Sequence, residues 1–147
     1  MVIFVYGEDK FRSREKVREL EQAFRLKFDP KGINVTHLES AKGGESIRDF
    51  LTNVQTIPLF GEKRMTVVSG LFMTLKAQET DEVLSSLQSV PSSTILVIYE
   101  ELDEKMFEKK KIFESMGDKD IHRYAFPILK GKALEGWVLD RVKKFGG

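Results

Sequence analysis

Val2-Ile3-Phe4-Val5-Tyr6 is apolar at every position, rich in β-branched and aromatic side chains, and stopped by Gly7. A strand with one wet face alternates apolar and polar residues. A strand without alternation is covered on both faces, as inside a parallel sheet. Parallel strands cannot be joined by hairpins; each needs a crossover of a dozen or more residues, usually a helix. The opening run therefore demands a chain that alternates strands with amphipathic helices.

The rest of the sequence meets that demand. Asp9 to Phe28 carries Val17, Leu20, Phe24 and Phe28 at helical spacing and ends at Pro30 and Gly32. Ile33–Leu38 reads as a second strand, and Ile47, Phe50, Leu51 and Val54 as the stripe of a second helix. Met65–Ser69 is a third strand, stopped by Gly70. Thr80-Asp81-Glu82 supplies a cap and two carboxylates for a helix whose inner face is Val83, Leu84 and Leu87, ended by Pro91. Thr94–Tyr99 is a fourth strand, Asp103 caps a helix running to about Met116, and Ile121–Phe126 is a fifth strand. Leu134, Trp137, Val138, Val142 and Phe145 form the stripe of a last helix, with Trp137 expected in the core. The expected fold is α/β: a three-layer, open, mostly parallel five-stranded sheet with helices on both faces.

Composition narrows the function. The 147 residues are 41% apolar and 32% charged, too apolar for a disordered chain. With 24 Lys+Arg against 23 Asp+Glu the net charge is +1, which fits neither a uniformly basic nucleic-acid coat nor an acidic solvating protein. The absence of cysteine removes disulfide scaffolds, thiolate metal sites and thiol catalysis. Two histidines, His37 and His122, exclude a multi-histidine metal centre. No leader or membrane-length apolar run is visible, so no membrane partner is expected and the localisation expected is cytoplasmic.

In an α/β sheet the turn after the first strand is the favoured place for a nucleotide. A phosphate loop needs glycines, a lysine for the β/γ-phosphates and a Ser or Thr for magnesium. Aligned on Gly7, this turn has Arg12 at the second glycine, Ser13 at the lysine and Arg14 at the Ser/Thr. Glu8 and Asp9 add like charge where a triphosphate would lie. The loop is degenerate and neither ATP nor any other cofactor is expected. Glu100 and Glu101 follow the fourth strand but lack a second cluster to work with, and read as solvated loop acids. The two strand histidines have no Asp–His–Ser neighbourhood. No catalytic residue and no metal site is expected. Lys109-Lys110-Lys111, Lys130, Lys132, Arg141, Lys143 and Lys144 make the C-terminal half locally basic, read as a solvated helix face with at most weak or indirect contact to DNA.

One segment fits a solvated surface poorly: Thr56-Ile57-Pro58-Leu59-Phe60-Gly61. Two large apolar residues between a proline and a glycine mark a turn, and turns lie at the surface. Leu59 and Phe60 either tuck into the core or await a partner pocket, where each contributes about 1.5–3 kcal/mol of transfer energy.

The ordered set of segments resembles a known family. Ile3-Phe4-Val5-Tyr6-Gly7-Glu8-Asp9 with Phe11 and Arg14, the helix into Gln55-Thr56-Ile57-Pro58-Leu59-Phe60, Lys63-Arg64-Met65-Thr66-Val67-Val68, Pro91-Ser92-Ser93-Thr94-Ile95-Leu96-Val97-Ile98, and Leu134-Glu135-Gly136-Trp137-Val138 resemble the N-terminal domain of the delta subunit of bacterial DNA polymerase III, part of the clamp loader. The resemblance implies an AAA+-like, P-loop-like module without a working nucleotide site. It also implies a non-catalytic role in DNA replication: binding the β sliding clamp and helping it open. Leu59 and Phe60 would be the clamp-binding pair, with Ile57 and Pro58 beside them, and other clamp-loader subunits would be partners in a full-length context. Delta subunits continue into lid and collar domains; residues 1–147 are expected to be a single α/β domain without them. Leu71-Phe72-Met73-Thr74-Leu75 is expected to pack on the sheet or beside the Leu59–Phe60 surface. Two other readings stay open: an α/β nucleotide-binding domain with a divergent phosphate loop, and a DNA-contact domain using the C-terminal lysines.

Overall fold

The computed structural model describes residues 1–40, 46–58, 61–108, 112–117 and 120–146. In chain order these form β1 (Val2–Tyr6), α1 (Lys10–Phe28), β2 (Val35–Glu39), α2 (Ser46–Val54), β3 (Arg64–Ser69), α3 (Leu71–Thr74), α4 (Ala77–Gln88), β4 (Thr94–Glu100), α5 (Glu104–Glu108), α6 (Ile112–Met116), β5 (Ile121–Ala125) and α7 (Gly131–Lys144). The strands make one sheet in the order β2-β3-β4-β1-β5, and all four pairings are parallel.

That order explains where the helices lie. The β1-to-β2 crossover travels one way across the sheet, and the later crossovers travel back. Because crossovers are right-handed, α1 falls on one face and the helices that follow, up to α6, fall on the other. Two separate cores follow. On the α1 side Phe24, Val17 and Leu20 pack against Ile3, Val5, Met65, Val67, Val97 and Tyr99. On the other side Phe50, Leu71, Phe72, Val83, Leu87, Phe107 and Ile112 pack against Val2, Phe4, Tyr6, Val68, Leu96 and Ile98. β1 supplies alternate residues to both, which is why its run is apolar without a break.

Several boundaries differ from the sequence expectation for identifiable reasons. β2 begins at Val35 rather than Ile33 because the buried Asp29 carboxylate accepts the backbone N–H groups of Ile33 and Asn34, both at 3.0 Å, holding them in a turn. α4 begins three residues before Thr80. The Glu79 carboxylate accepts the Lys76 N–H at 2.9 Å and the Thr80 hydroxyl donates back to the Lys76 carbonyl. The helix expected from Asp103 to Met116 is described as α5 and α6, residues 109–111 between them lying outside the described residues. Asp103 does cap α5, accepting from the Lys105 N–H at 2.8 Å. The apolar stretch 71–75 opens as the short helix α3, with Leu71 and Phe72 buried.

The last helix departs furthest. α7 has no buried residue; its stripe of Leu134, Val138, Val142 and Phe145 is exposed, Phe145 at 72%. Trp137 is half-buried, edge-on to Phe11 of α1 at 5.7 Å between centroids, and Arg141 packs over both rings while its guanidinium pairs with Glu15 of α1. The expected core tryptophan is instead a surface bracket between α1 and α7. Trp137→Ala is thus expected to lower stability by about 1 kcal/mol, measured by urea denaturation. A loss near 4 kcal/mol, the cost of emptying a true core site, would return the indole to the core.

Candidate functional site

Two places carry the candidate residues: the turn after β1, and the turn between α2 and β3.

At the first, Gly7 has a φ of +127°, a conformation open to glycine, and a Cβ there would collide with the Phe126 carbonyl. The close approach is made by backbone bonds: Phe126 N–H to the Tyr6 carbonyl at 2.8 Å and Asp9 N–H to the Phe126 carbonyl at 3.1 Å. A helix N-terminus binds phosphate with its free N–H groups, but here Asp9 takes that place as the N-cap, accepting from the Arg12 N–H at 3.0 Å and from Arg12 Nε at 2.8 Å. Arg12 also donates to the Pro127 carbonyl at 2.6 Å and lies over the Phe126 ring. Ser13 is buried, its hydroxyl donating to the Asp9 carbonyl at 2.7 Å. Arg14 and Lys10 both pair with Glu101, at 2.7 and 3.1 Å, and the Tyr99 hydroxyl donates to the same carboxylate at 2.9 Å. Arg12 and Arg14 are thus engaged by other parts of the chain and Ser13 by the turn itself, and Glu101 supplies the negative charge that a phosphate would bring.

The sequence expectation of solvated acids at Glu100 and Glu101 is corrected here. Glu100 lies in β4, is wholly buried, and accepts the Phe72 N–H at 2.7 Å, anchoring the start of α3. Glu101 is partly buried, and the bonds from Lys10, Tyr99 and Arg14 outweigh the opposing effect of burial and hold its carboxyl below the ordinary range. Asp9 is likewise held low: burial opposes its charge, but the Arg12 N–H and guanidinium prevail. The sign follows. Groups depressed in the folded chain stabilise it above their unfolded value of about 4, and that contribution is lost as pH falls through the lower folded values. Between about pH 5 and pH 2 the urea midpoint is expected to fall, and to fall less steeply in Glu101→Gln; an unchanged slope would remove Glu101 from the account.

The histidines do what their surroundings ask. His37 in β2 pairs with Glu21 at 2.9 Å and His122 in β5 with Asp120 at 3.0 Å, both exposed. Of the basic residues, Lys130, Lys132, Lys143 and Lys144 are exposed, whereas Arg141 is tied to Glu15; Lys109, Lys110 and Lys111 lie outside the described residues. No described helix is long and apolar enough to cross a membrane.

At the second turn, Leu59 and Phe60 lie outside the described residues, but both arms leading to them are defined. Ile57 is exposed at 68% and Pro58 half-buried. On the outgoing arm the Thr56 N–H donates to the Asn53 carbonyl at 3.1 Å, the Thr56 hydroxyl to the Thr52 carbonyl at 3.0 Å, and Gln55 to the Ser89 hydroxyl at 3.0 Å. On the returning arm Gly61 has a φ of +84° beside the Asn34 side chain, Lys63 donates to the Ser92 carbonyl at 2.7 Å, and the Arg64 N–H to the Ser93 carbonyl at 2.9 Å. A groove of about 370 Å³ runs beside the turn, lined by Ile33, Asn34, Thr36, Thr56, Ile57, Pro58 and Arg64. This arrangement can present apolar side chains from a fixed base. Among the described residues it brings together no acid–base pair or activated nucleophile.

Sequence reasoning missed Arg64, which opens β3 and is only 7% exposed. The available signal was a charged residue directly preceding a run that is apolar on both faces.

The chain is similar to the Bacillus subtilis DNA clamp loader delta protein YqeN, with a TM-score of 0.67 and 20% identity over 97% of this chain and 43% of that one. It is also similar to a DNA polymerase III gamma subunit-related protein from Thermotoga maritima, with a TM-score of 0.57 and 18% identity over 95% of this chain and 45% of that one. At these identities the likeness is one of fold, and the chain spans less than half the length of either structure. No curated protein sequence matches. Residues 4–121 match the family model for the DNA polymerase III delta subunit. With that match over most of its length, this chain belongs to the DNA polymerase III delta subunit family.

Proposed function

We propose that this chain is the clamp-contacting, non-catalytic part of a clamp-loader subunit. Leu59 and Phe60 enter an apolar pocket on the β sliding clamp, flanked by Ile57 and Pro58. The observation that carries this reading is the connection from α2 to β3: both arms are fixed by side-chain and backbone bonds, and Ile57, two residues before Leu59 in the sequence, is exposed. Family membership supports it. So does the filled first turn, which leaves Gly7, Arg12, Ser13 and Arg14 as a structural joint rather than a nucleotide site. ATP chemistry then belongs to other clamp-loader subunits, the partners of this chain in a full-length context. To help open a ring this chain needs only to bind the open form more tightly than the closed one.

The test is a calorimetric titration against a purified bacterial β sliding clamp, with Leu59→Ala/Phe60→Ala alongside. Binding is expected to disappear in the double variant, with the melting temperature lowered by no more than about 2 °C, because a pair that serves a partner rather than the core contributes little to folding. Binding that persists would remove the pair from the contact, and a large fall in melting temperature would assign it to the core.

A further inference from the structure

Arg64 is a buried cation with an unusual set of partners. Its Nη1 donates to the carbonyls of Asn53 and Thr56, each at 3.0 Å. Its Nη2 donates to Asn53 Oδ1 at 2.8 Å and to the Thr66 hydroxyl at 3.3 Å, and that hydroxyl donates to the same Asn53 oxygen at 2.8 Å. Among the described residues every one of these acceptors is neutral. Burial accordingly lowers the guanidinium pKa, with no carboxylate opposing it. A buried charge is a poor device for stability alone, since an apolar side chain of similar volume often serves as well or better. What arginine adds is a rigid planar fork that can hold several acceptors in fixed relative positions.

The acceptors show what is being held. Asn53 lies in the last turn of α2, whose terminal carbonyls have no partner within the helix. Thr56 lies beyond the helix, so its carbonyl fixes the direction in which the chain leaves. Next, Ile57 precedes Pro58, and a residue before proline is restricted to extended backbone. With Thr56 pinned and Ile57 restricted, the outgoing arm is constrained as far as Pro58. Arg64 is also the first residue of β3 and hydrogen-bonds through its own N–H to Ser93, so one residue ties the outgoing arm of the turn to the sheet.

We propose that Arg64 is the positioning residue of the clamp-contacting segment: its guanidinium locks the exit of α2, at Asn53 and Thr56, to the start of β3 and so fixes the base from which the contact is made before any partner arrives. The inference rests on the clamp-contact reading above. Its physical effect is preorganisation, which strengthens binding by reducing the ordering cost of association.

The experiment compares Arg64→Met and Arg64→Lys with the unsubstituted chain and with Leu59→Ala/Phe60→Ala. It uses titration against the purified β sliding clamp, thermal melting, and amide hydrogen exchange at Thr56. Arg64→Met is expected to bind the clamp about tenfold more weakly, with the Thr56 amide, bonded to the Asn53 carbonyl, exchanging faster while the amides of β3 and β4 keep their protection. Lysine keeps the charge without the fork and should recover only part of the affinity. Affinity within about twofold of the unsubstituted chain, or exchange that rises evenly across the sheet, overturns the proposal; the second result would make Arg64 a general stabiliser. If Arg64→Met does not fold, Asn53→Ala removes the side-chain acceptor and should produce the same local pattern more weakly, and its absence there is equally adverse. The two readings separate cleanly. Clamp binding that survives Leu59→Ala/Phe60→Ala sinks the contact, whereas exchange at Thr56 judges Arg64 by itself.

Discussion

Phe107→Ala is expected to cost about 3–5 kcal/mol and to lower the melting temperature by roughly 10 °C or more. The ring is wholly buried and sits at the centre of an aromatic cluster, with centroids 5.7 Å from Phe4, 4.6 Å from Tyr6, 5.7 Å from Phe72 and 5.5 Å from Phe113. These partners come from β1, α3 and α6, so one side chain joins elements distant in sequence. Truncation removes both the transferred apolar area and the edge-to-face contacts, and a cluster of stiff rings collapses poorly into the space left. Phe107→Leu, which keeps most of the volume, should cost only about 1 kcal/mol. Urea denaturation of the pair checks this; a cost below about 1.5 kcal/mol for alanine would mean that α5 contributes little to this core.

Gly7→Ala is the second large effect, on the order of 3 kcal/mol. A side chain at a φ of +127° carries backbone strain of roughly 1–3 kcal/mol, and the new Cβ meets the backbone of Phe126, which cannot swing aside as a flexible side chain can. To make room, β1 and the chain after β5 must separate, breaking the bonds between Tyr6, Phe126 and Asp9. The signature is therefore local as well as global: the amides of Asp9 and Phe126 should lose exchange protection before the rest of the sheet. A variant as stable as the parent would show that this joint tolerates a side chain.

The parts legible in the sequence are those where one physical rule acts alone. β1, β3 and β4 are buried on both faces, so their unbroken apolar runs admit little else, and the crossover rule then fixes where the helices go. Legibility fails where a side chain bonds to backbone at a distance. The Asp29 carboxylate delays β2, Glu79 starts α4 early, and Glu100 anchors α3; none of these is visible as a periodicity. The stripe of α7 failed for another reason: spacing reports an apolar face but not what covers it. At the candidate site the end of α2 before Pro58 was legible from its composition, whereas the means of holding the chain that leaves it, Arg64 on Asn53 and Thr56, depends on a contact from the first residue of β3.

The strand order has a consequence for synthesis of the chain. β1 is made first, yet its two neighbours, β4 and β5, are the last strands to be made. The terminal amino group of Met1 bonds to the carbonyl of Thr94, a sequence separation of 93 residues. At translation rates of roughly 5–20 residues per second, β1 waits about 5–20 s on the ribosome before either partner exists. During that time an uninterrupted apolar segment is available to other chains. The feature that makes β1 an interior strand of the finished sheet, paired on both sides by the last strands to be made, also leaves it in need of protection while the chain is being made.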